Sequence, residues 1–208
     1  MSVDVAHVRP ARPKDAHALA TAYEEAWRGA YQGIIPHLDL ERMIARRGPG
    51  WWARVLQHRA SVLVLDFQGE VAGYVTFGRC RVGRGPYRGE IFELYLGPTY
   101  QGLGLGTKLF EGARQKLRDW RMHGLLVWAL ADNDAACDFY LRLGGKPIGE
   151  GPGLKLLIWP CCSAEFNLHR FEPCCRSVKE CVGARGNANL SDEGLGCFGT
   201  PLEGSQNV

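Results

Sequence analysis

The sequence of 208 residues has no long apolar segment and little net charge. No stretch approaches the roughly 18 apolar residues of a membrane-spanning helix. Residues 1–12 carry Asp4, His7 and Arg9 where a secretory signal would have an apolar core. The formal net charge is only +3 and the arginines are scattered, which argues against a nucleic-acid-binding protein. We therefore expect a cytoplasmic protein without membrane or nucleic-acid partners.

The sequence also lacks paired metal ligands. Its six histidines are scattered and form no H-x-x-x-H pair. The eight cysteines are concentrated after Pro160, where Cys161-Cys162 and Cys174-Cys175 are adjacent residues whose thiolates tend to point apart. Thiols stay reduced in the cytoplasm, so structural disulfides are not expected either. We predict no metal site.

The composition predicts one catalytic domain followed by an extension. The chain is 46% hydrophobic and 23% charged, which is within the range of globular proteins. We assign residues 1–159 to the domain. Residues 160–208 are rich in Gly, Asn, Ser, Glu and Cys and have no helical or alternating pattern, so a poorly ordered extension is expected. The abrupt change at Pro160 also fits an altered reading frame.

Hydrophobic periodicity predicts the elements of this domain. Helices are expected at Pro13–Trp27, Leu38–Arg47, Trp51–His58, Leu105–Trp120 and Asp134–Leu143, with Gly48-Pro49-Gly50 as a breaker. Strands are expected at Val5–Val8, Ser61–Phe67, Val71–Arg79, Glu90–Leu96, Leu125–Leu130, Lys146–Gly149 and Leu154–Trp159, with a loop at Val82–Arg88. The order β-αα-β-β-β-α-β-α-β-β predicts a mixed α/β fold of layered helices and strands.

A glycine-rich segment joins the fourth predicted strand to the following helix. Gly102, Gly104 and Gly106 lie where unpaired backbone N–H groups and the helix dipole attract anions. A flexible turn without a ligand is the alternative. The order Gly106-Thr107-Lys108 does not match a P-loop, and G-x-G-x-G after an antiparallel hairpin does not match a dinucleotide fingerprint. The segment therefore favours a different phosphate-containing ligand.

Three separated motifs carry a resemblance to a known family. Gln101, Gly104 and Gly106 form the first, and Asn133-Asp134-Ala135-Ala136-Cys137-Asp138-Phe139-Tyr140 with a following glycine pair forms the second. The third is Trp27-Arg28-Gly29-Ala30-Tyr31-Gln32-Gly33 with Ile35-Pro36. The three motifs occur along the chain in the order expected for one family. Over about residues 5–159, the sequence resembles the bacterial-type members of the GNAT superfamily of N-acetyltransferases. The resemblance implies an α+β fold in which helices flank a mixed, mostly antiparallel sheet.

The resemblance implies acetyl-CoA as the acyl donor. Its pantetheine arm would pair with the backbone of Leu94, Tyr95 and Leu96. The side chains of these residues fit equally well as ordinary members of the hydrophobic core. The family motif places the pyrophosphate on the backbone amides of Gln101, Gly102, Leu103, Gly104, Leu105, Gly106 and Thr107. Asn133 would contact the arm, although helix capping explains an Asn there equally well.

Transfer of an acyl group to an amine needs a neutral amine, a stabilised oxyanion and a proton for the leaving thiolate. Tyr140 matches the family's general acid; a packing tyrosine is the alternative. Glu93 is the candidate base, and Glu90, or no protein base at all, remains open. A solvated charge near a strand end explains either carboxylate equally well.

The resemblance implies that Trp27, Tyr31 and Tyr74 line the acceptor site, although each is also a typical core aromatic. The acceptor would be a small-molecule amine or a protein N-terminus or lysine, and a homodimer is left open. A second hypothesis is a non-catalytic acyl-CoA-binding or sensor module. Tyr140 together with a carboxylate on the central strand favours the enzyme.

Overall fold

The computed structural model describes most of the predicted domain. The residues described are 5–33, 35–58, 61–81, 87–151 and 154–159. The expected extension at 160–208 and most of the expected loop at 82–88 lie outside them. Within these ranges, no helix is long and apolar enough to cross a membrane.

The elements follow the predicted order, with boundaries shifted by one or two residues at several ends and by three and four residues at the two ends of the first helix. The strands are β1 Ala6–Pro10, β2 Val62–Phe67, β3 Glu70–Arg79, β4 Gly89–Leu96, β5 Leu125–Leu130, β6 Lys146–Gly151 and β7 Leu154–Trp159. The helices are α1 Ala16–Tyr31, α2 His37–Ala45, α3 Pro49–Gln57, α4 Leu105–Asp119 and α5 Asp134–Arg142. Short 3-10 turns at Pro13–Asp15 and Pro98–Tyr100 precede α1 and the glycine-rich segment.

The strands form one seven-stranded sheet in the order β1-β2-β3-β4-β5-β7-β6. Its neighbours pair antiparallel except β4 and β5, which are parallel. Parallel neighbours need a crossover connection, and α4 supplies it. This arrangement confirms the mixed, mostly antiparallel sheet flanked by helices.

Helices cover both faces of the sheet. On β2, Leu63 and Leu65 pack in the cluster that contains the buried face of α4, whereas Val64 packs with α1 and α3. Successive residues of a strand point to opposite faces, so an unbroken apolar run is what a strand covered on both sides requires. On α1, Leu19 and Tyr23 are fully buried against this second face.

The expected breaker Gly48-Pro49-Gly50 is wrong in its extent. Pro49 and Gly50 are the first two residues of α3. Proline suits the first position of a helix because its fixed φ is helical and its missing N–H would be unpaired there. The break between α2 and α3 is therefore the shorter segment Arg46–Gly48, which holds Arg47 over the sheet.

Candidate active site

The centre of the sheet opens between its two parallel strands. β4 and β5 pair only from Gly89–Ile91 to Leu125–Val127, although both strands continue beyond these residues. β4 stays paired with β3, and β5 stays paired with β7, along this continuation. Within the described chain, residues 92–96 thus have no strand partner on the β5 side. This gap is where the resemblance implies that a pantetheine arm pairs with Leu94, Tyr95 and Leu96.

The glycine loop, Gln101–Gly106, follows this opened strand after the 3-10 turn Pro98–Tyr100. The Gln101 side chain donates from Nε2 to the carbonyl oxygen of Leu96 at 3.1 Å, which ties the loop to β4. Gly102 and Gly104 have φ values of +75° and +74°. Glycine adopts this left-handed conformation without the steric cost that a Cβ brings. Gly104 is also the N-cap of α4.

The loop leaves room for an anion at the start of α4. A Cβ added at Gly102 or Gly104 would meet no atom within 4 Å, whereas one at Gly106 would lie 3.2 Å from the Phe139 ring. The first N–H groups of a helix have no partner inside it, and the dipole makes this end positive. The first turn of α4 has no acidic side chain. These features fit the pyrophosphate of coenzyme A.

Replacing Gly104 by Val should weaken coenzyme A binding. A Cβ in the left-handed region costs about 1–2 kcal/mol, so the loop of the free variant relaxes to another conformation, and coenzyme A must restore the binding conformation at that cost. Every 1.4 kcal/mol is about tenfold in affinity. We expect the Kd for coenzyme A, measured by calorimetry, to rise about tenfold. Gly69→Val is the matched control, because Gly69 has φ +94° in the β2–β3 turn, outside the loop. Equal affinity of the Gly104 variant and wild type would contradict this placement of the phosphates.

Asn133 caps α5. Its side-chain oxygen accepts a hydrogen bond from the backbone N–H of Ala136 at 3.0 Å. This contact accounts for an Asn at the start of the helix without a ligand. A contact from Asn133 to the donor therefore stays a prediction.

Tyr140 lies on the buried side of α5. Its side chain packs against Phe139 and Phe110, with ring centroids 5.1 and 6.2 Å away, and the residue is only 6% exposed. Burial raises the pKa of Tyr140, and interaction with Tyr31 adds to the rise. The phenol therefore stays protonated at neutral pH and is available as a proton donor.

A β-bulge places both candidate carboxylates on one face of the sheet. Glu93 is opposite Thr76 and Glu90 is opposite Gly78, with Phe92 as the extra residue on β4. Cross-strand partners project to the same side, and Thr76 and Gly78 are two residues apart. Glu90 and Glu93 therefore share a face, which strict alternation would not allow for residues three apart.

Glu90 is held inside the fold by Arg81. It is 0% exposed, and its oxygens accept from the Arg81 backbone N–H at 2.8 Å and from Nε at 3.0 Å. The guanidinium also forms an ion pair with it and lies over the Phe92 ring. This environment explains Glu90 as a structural ion pair, so Glu93 is the stronger candidate base.

Glu93 pairs with Arg47, a residue that the sequence analysis did not identify. The Arg47 Nη1 donates to Glu93 Oε1, and the two side chains are 17% and 12% exposed. The hydroxyl of Tyr74 donates to the other Glu93 oxygen at 3.4 Å. The guanidinium lies 5.0 Å from the ring centroids of Tyr23 and Trp51. Nothing local marks Arg47, because its partner is 46 positions away.

An aromatic cluster of Trp27, Tyr31, Tyr74 and Tyr95 adjoins this ion pair. The hydroxyls of Tyr31 and Tyr95 are 2.7 Å apart, and Trp27 packs on Tyr31 with centroids at 4.8 Å. Tyr74 and Tyr95 are cross-strand neighbours with centroids at 5.8 Å. Burial raises the pKa of all three tyrosines, which keeps them neutral. The structure thus brings the three predicted acceptor residues together and adds Tyr95 to them.

Metal ligands are not clustered at this site. Across the described ranges, no group of three or more His, Cys, Asp and Glu side chains is placed to hold an ion. The chemistry available at the site consists of a carboxylate, a phenol, a guanidinium and backbone amides.

Comparisons with known proteins agree with this geometry. The model of the acetyltransferase (GNAT) family matches residues 18–145. Mycothiol acetyltransferase of Paenarthrobacter aurescens is 32% identical over 63% of this chain, which spans only 39% of that relative. The uncharacterized N-acetyltransferase YuaI of Bacillus subtilis is 27% identical, with 76% of this chain and 94% of YuaI aligned.

The fold also resembles solved structures. The PaiA N-acetyltransferase of Thermoplasma acidophilum, solved in complex with coenzyme A, has a TM-score of 0.65. The likeness covers 74% of this chain and 97% of that protein at 17% sequence identity. At this identity the likeness supports the fold, and the assignment to a family rests on the sequence match.

Proposed function

Because the chain belongs to the GNAT acetyltransferase family, we propose that it transfers the acetyl group of acetyl-CoA to a primary amine by direct attack. One observation carries this proposal: the opened strand β4 is followed, after one 3-10 turn, by a glycine loop at the start of α4 whose residues 101–104 are exposed. Tyr140 and Glu93 supply a proton donor and a carboxylate for the same reaction.

The chain would hold the donor mainly through its backbone. The amides of Gly102 to Gly106 would bind the pyrophosphate, because they lie at the positive end of α4. The amides of Gln101 and Thr107, also expected to bind it, donate instead to the carbonyl oxygens of Pro98 and Gly104. The backbone of Leu94 to Leu96 would pair with the pantetheine arm, because no strand occupies that side of β4. Acetyl-CoA, the co-substrate of this family, supplies an activated acetyl thioester.

The side chains would move two protons. Glu93 accepts the proton that the amine nitrogen loses as it forms the amide bond. Tyr140 donates its hydroxyl proton to the sulfur as the carbon–sulfur bond breaks, so the thiol leaves in its neutral form. Return of the proton from Glu93 to Tyr140 through solvent restores both groups, and the net products are an amide and a thiol.

A non-catalytic acyl-CoA-binding or sensor module is the second candidate. The observation in its favour is the pairing of Glu93 with Arg47 and Tyr74, because both carboxylate oxygens already accept hydrogen bonds from protein side chains. Release of thiol from acetyl-CoA in the presence of an amine separates the two candidates, because a sensor binds acetyl-CoA and releases none.

Acetyl-CoA should stabilise the protein, whereas ATP and NAD should not. A ligand at 100 times its Kd adds about 2.7 kcal/mol, which corresponds to a Tm increase of roughly 5–10 °C for a chain of this size. Thermal-shift measurements with the three ligands at equal concentration test this expectation. Equal shifts with ATP would contradict an acyl-CoA site and indicate general phosphate binding.

A further inference from the structure

Arg47 has hydrogen-bonding capacity that the fold leaves unused. The guanidinium is mostly buried between the rings of Tyr23 and Trp51, and its Nη1 donates to the carboxylate of Glu93. Among the described residues, Nε and Nη2 have no acceptor. Neither atom belongs to the fully buried polar atoms without a partner, so both remain accessible and can donate hydrogen bonds to a ligand.

Two further buried groups around the ion pair also lack partners. The indole nitrogen of Trp27, 9% exposed, and the hydroxyl of Thr76, 1% exposed, make no hydrogen bond within the described chain. Thr76 is the cross-strand neighbour of Glu93, and Trp27 belongs to the aromatic cluster. A small number of polar groups among aromatic side chains is typical of the lining of a small-molecule site.

We propose that the acceptor is a zwitterion whose carboxylate lies beside its amine, as in an α-amino acid. This inference rests on the proposed acetyl transfer and names its substrate class. Glu93 receives the amine, and Nε and Nη2 of Arg47 bind the carboxylate. The planar fork of arginine matches a carboxylate with two parallel hydrogen bonds.

The contact between Arg47 and Glu93 sets the spacing of the two substrate groups. The protein charges are one hydrogen bond apart, so the ligand charges that meet them must be close as well. In an α-amino acid one carbon separates the nitrogen from the carboxyl carbon. A polyamine would bring a second cation against Arg47, and a protein N-terminus or lysine side chain has no free carboxylate next to its amine.

The first test uses the wild-type protein and needs no variant. We would measure kcat/KM with acetyl-CoA for leucine, methionine and phenylalanine, each beside its amide and its decarboxylated amine. We expect the amino acids to exceed both analogues at least tenfold. The amide's amine loses its proton more easily, so without carboxylate binding the amide would react faster. Equal or faster turnover of the analogues would overturn the proposal.

The second test compares adjacent arginines. Arg47→Met should raise KM for the amino acid at least tenfold and reduce the preference over the amine to about one. Arg46→Met is the matched control, because Arg46 is exposed in the same turn, and it should keep the wild-type preference. Arg47→Lys retains a positive charge beside Glu93 and should keep part of the preference for the amino acid over the amine. This variant provides the test if Arg47→Met does not fold.

A purely structural role for the ion pair predicts a different outcome. Arg47→Met would then lower turnover of amino acids and amines in parallel and leave their ratio unchanged, which would overturn the proposal. The thermal shift with acetyl-CoA separates this failure from failure of the proposed function. If acetyl-CoA raises the Tm but the protein acetylates only amines without a carboxylate, the zwitterionic substrate class alone is rejected. If acetyl-CoA does not raise the Tm and no amine is acetylated, acetyl transfer itself is rejected.

Discussion

Replacing Tyr140 by Phe should lower kcat by about 10²- to 10⁴-fold, the usual contribution of a positioned proton donor. The change removes one hydroxyl and keeps the ring that packs against Phe110 and Phe139. Thermal stability and coenzyme A affinity should therefore change little. The measurement is steady-state turnover with an acceptor that the wild type acetylates.

Tyr87→Phe is the matched control for this variant. Tyr87 is also buried, and burial also raises its pKa, but it packs in a separate cluster with Leu126. Its replacement should leave kcat near the wild-type value. Because burial raises the pKa of Tyr140 above the usual tyrosine value of about 10, its hydroxyl stays protonated at lower pH. The wild-type rate should therefore not fall below pH 10 through deprotonation of Tyr140. A Tyr140 variant with near-wild-type turnover would show that the residue only packs.

Replacing Glu93 by Gln should lower kcat/KM by about 10²- to 10⁴-fold at neutral pH, the range expected for a general base. Gln keeps the shape of the side chain and its contact with Tyr74 or Arg47, but it cannot accept a proton. The deficit should shrink as pH rises, because hydroxide from solvent then takes the amine proton that Gln cannot accept. A pH–rate profile of the variant and the wild type measures both effects.

The variant Glu90→Gln distinguishes the role of Glu90 from that of Glu93. Glu90 is fully buried and paired with Arg81, so its replacement should lower the Tm while leaving the pH profile of the rate unchanged. If Glu93→Gln instead folds normally and retains wild-type turnover, Glu93 is not the base. If the Glu90 variant loses turnover while its stability is unchanged, Glu90 is the general base.

Most predictions that depend on short stretches of sequence agree with the structure, and the breaker at Gly48–Gly50 is the exception. The turn before α4 needs left-handed backbone at Gly102 and Gly104, and glycine is the residue that adopts it freely. Asn133 and the glycines after Leu143 bound a helix that could be placed from capping rules. The breaker at Gly48–Gly50 was misplaced because proline disrupts the interior of a helix but is favoured at its first position.

The positions and environments of Glu90 and Glu93 could not be predicted from the sequence. Alternation along a strand assigns residues three apart to opposite faces, and the bulge at Phe92 that reverses this for Glu90 and Glu93 has no local sequence mark. The environments of the two residues also differ through distant contacts. Arg81 encloses Glu90, whereas Arg47 reaches Glu93 from the turn between α2 and α3.

The sequence alone determined the order of the elements, the family resemblance and the position of the glycine loop, because each depends on neighbours within one or two turns of the chain. The tertiary structure decided which side chains meet. It brought Arg47 onto Glu93 across 46 positions and joined Tyr31 to Tyr95 across 64. Such contacts arise from the packing of helices on a twisted sheet, in which a single bulge or a one-residue change of register redirects the side chains.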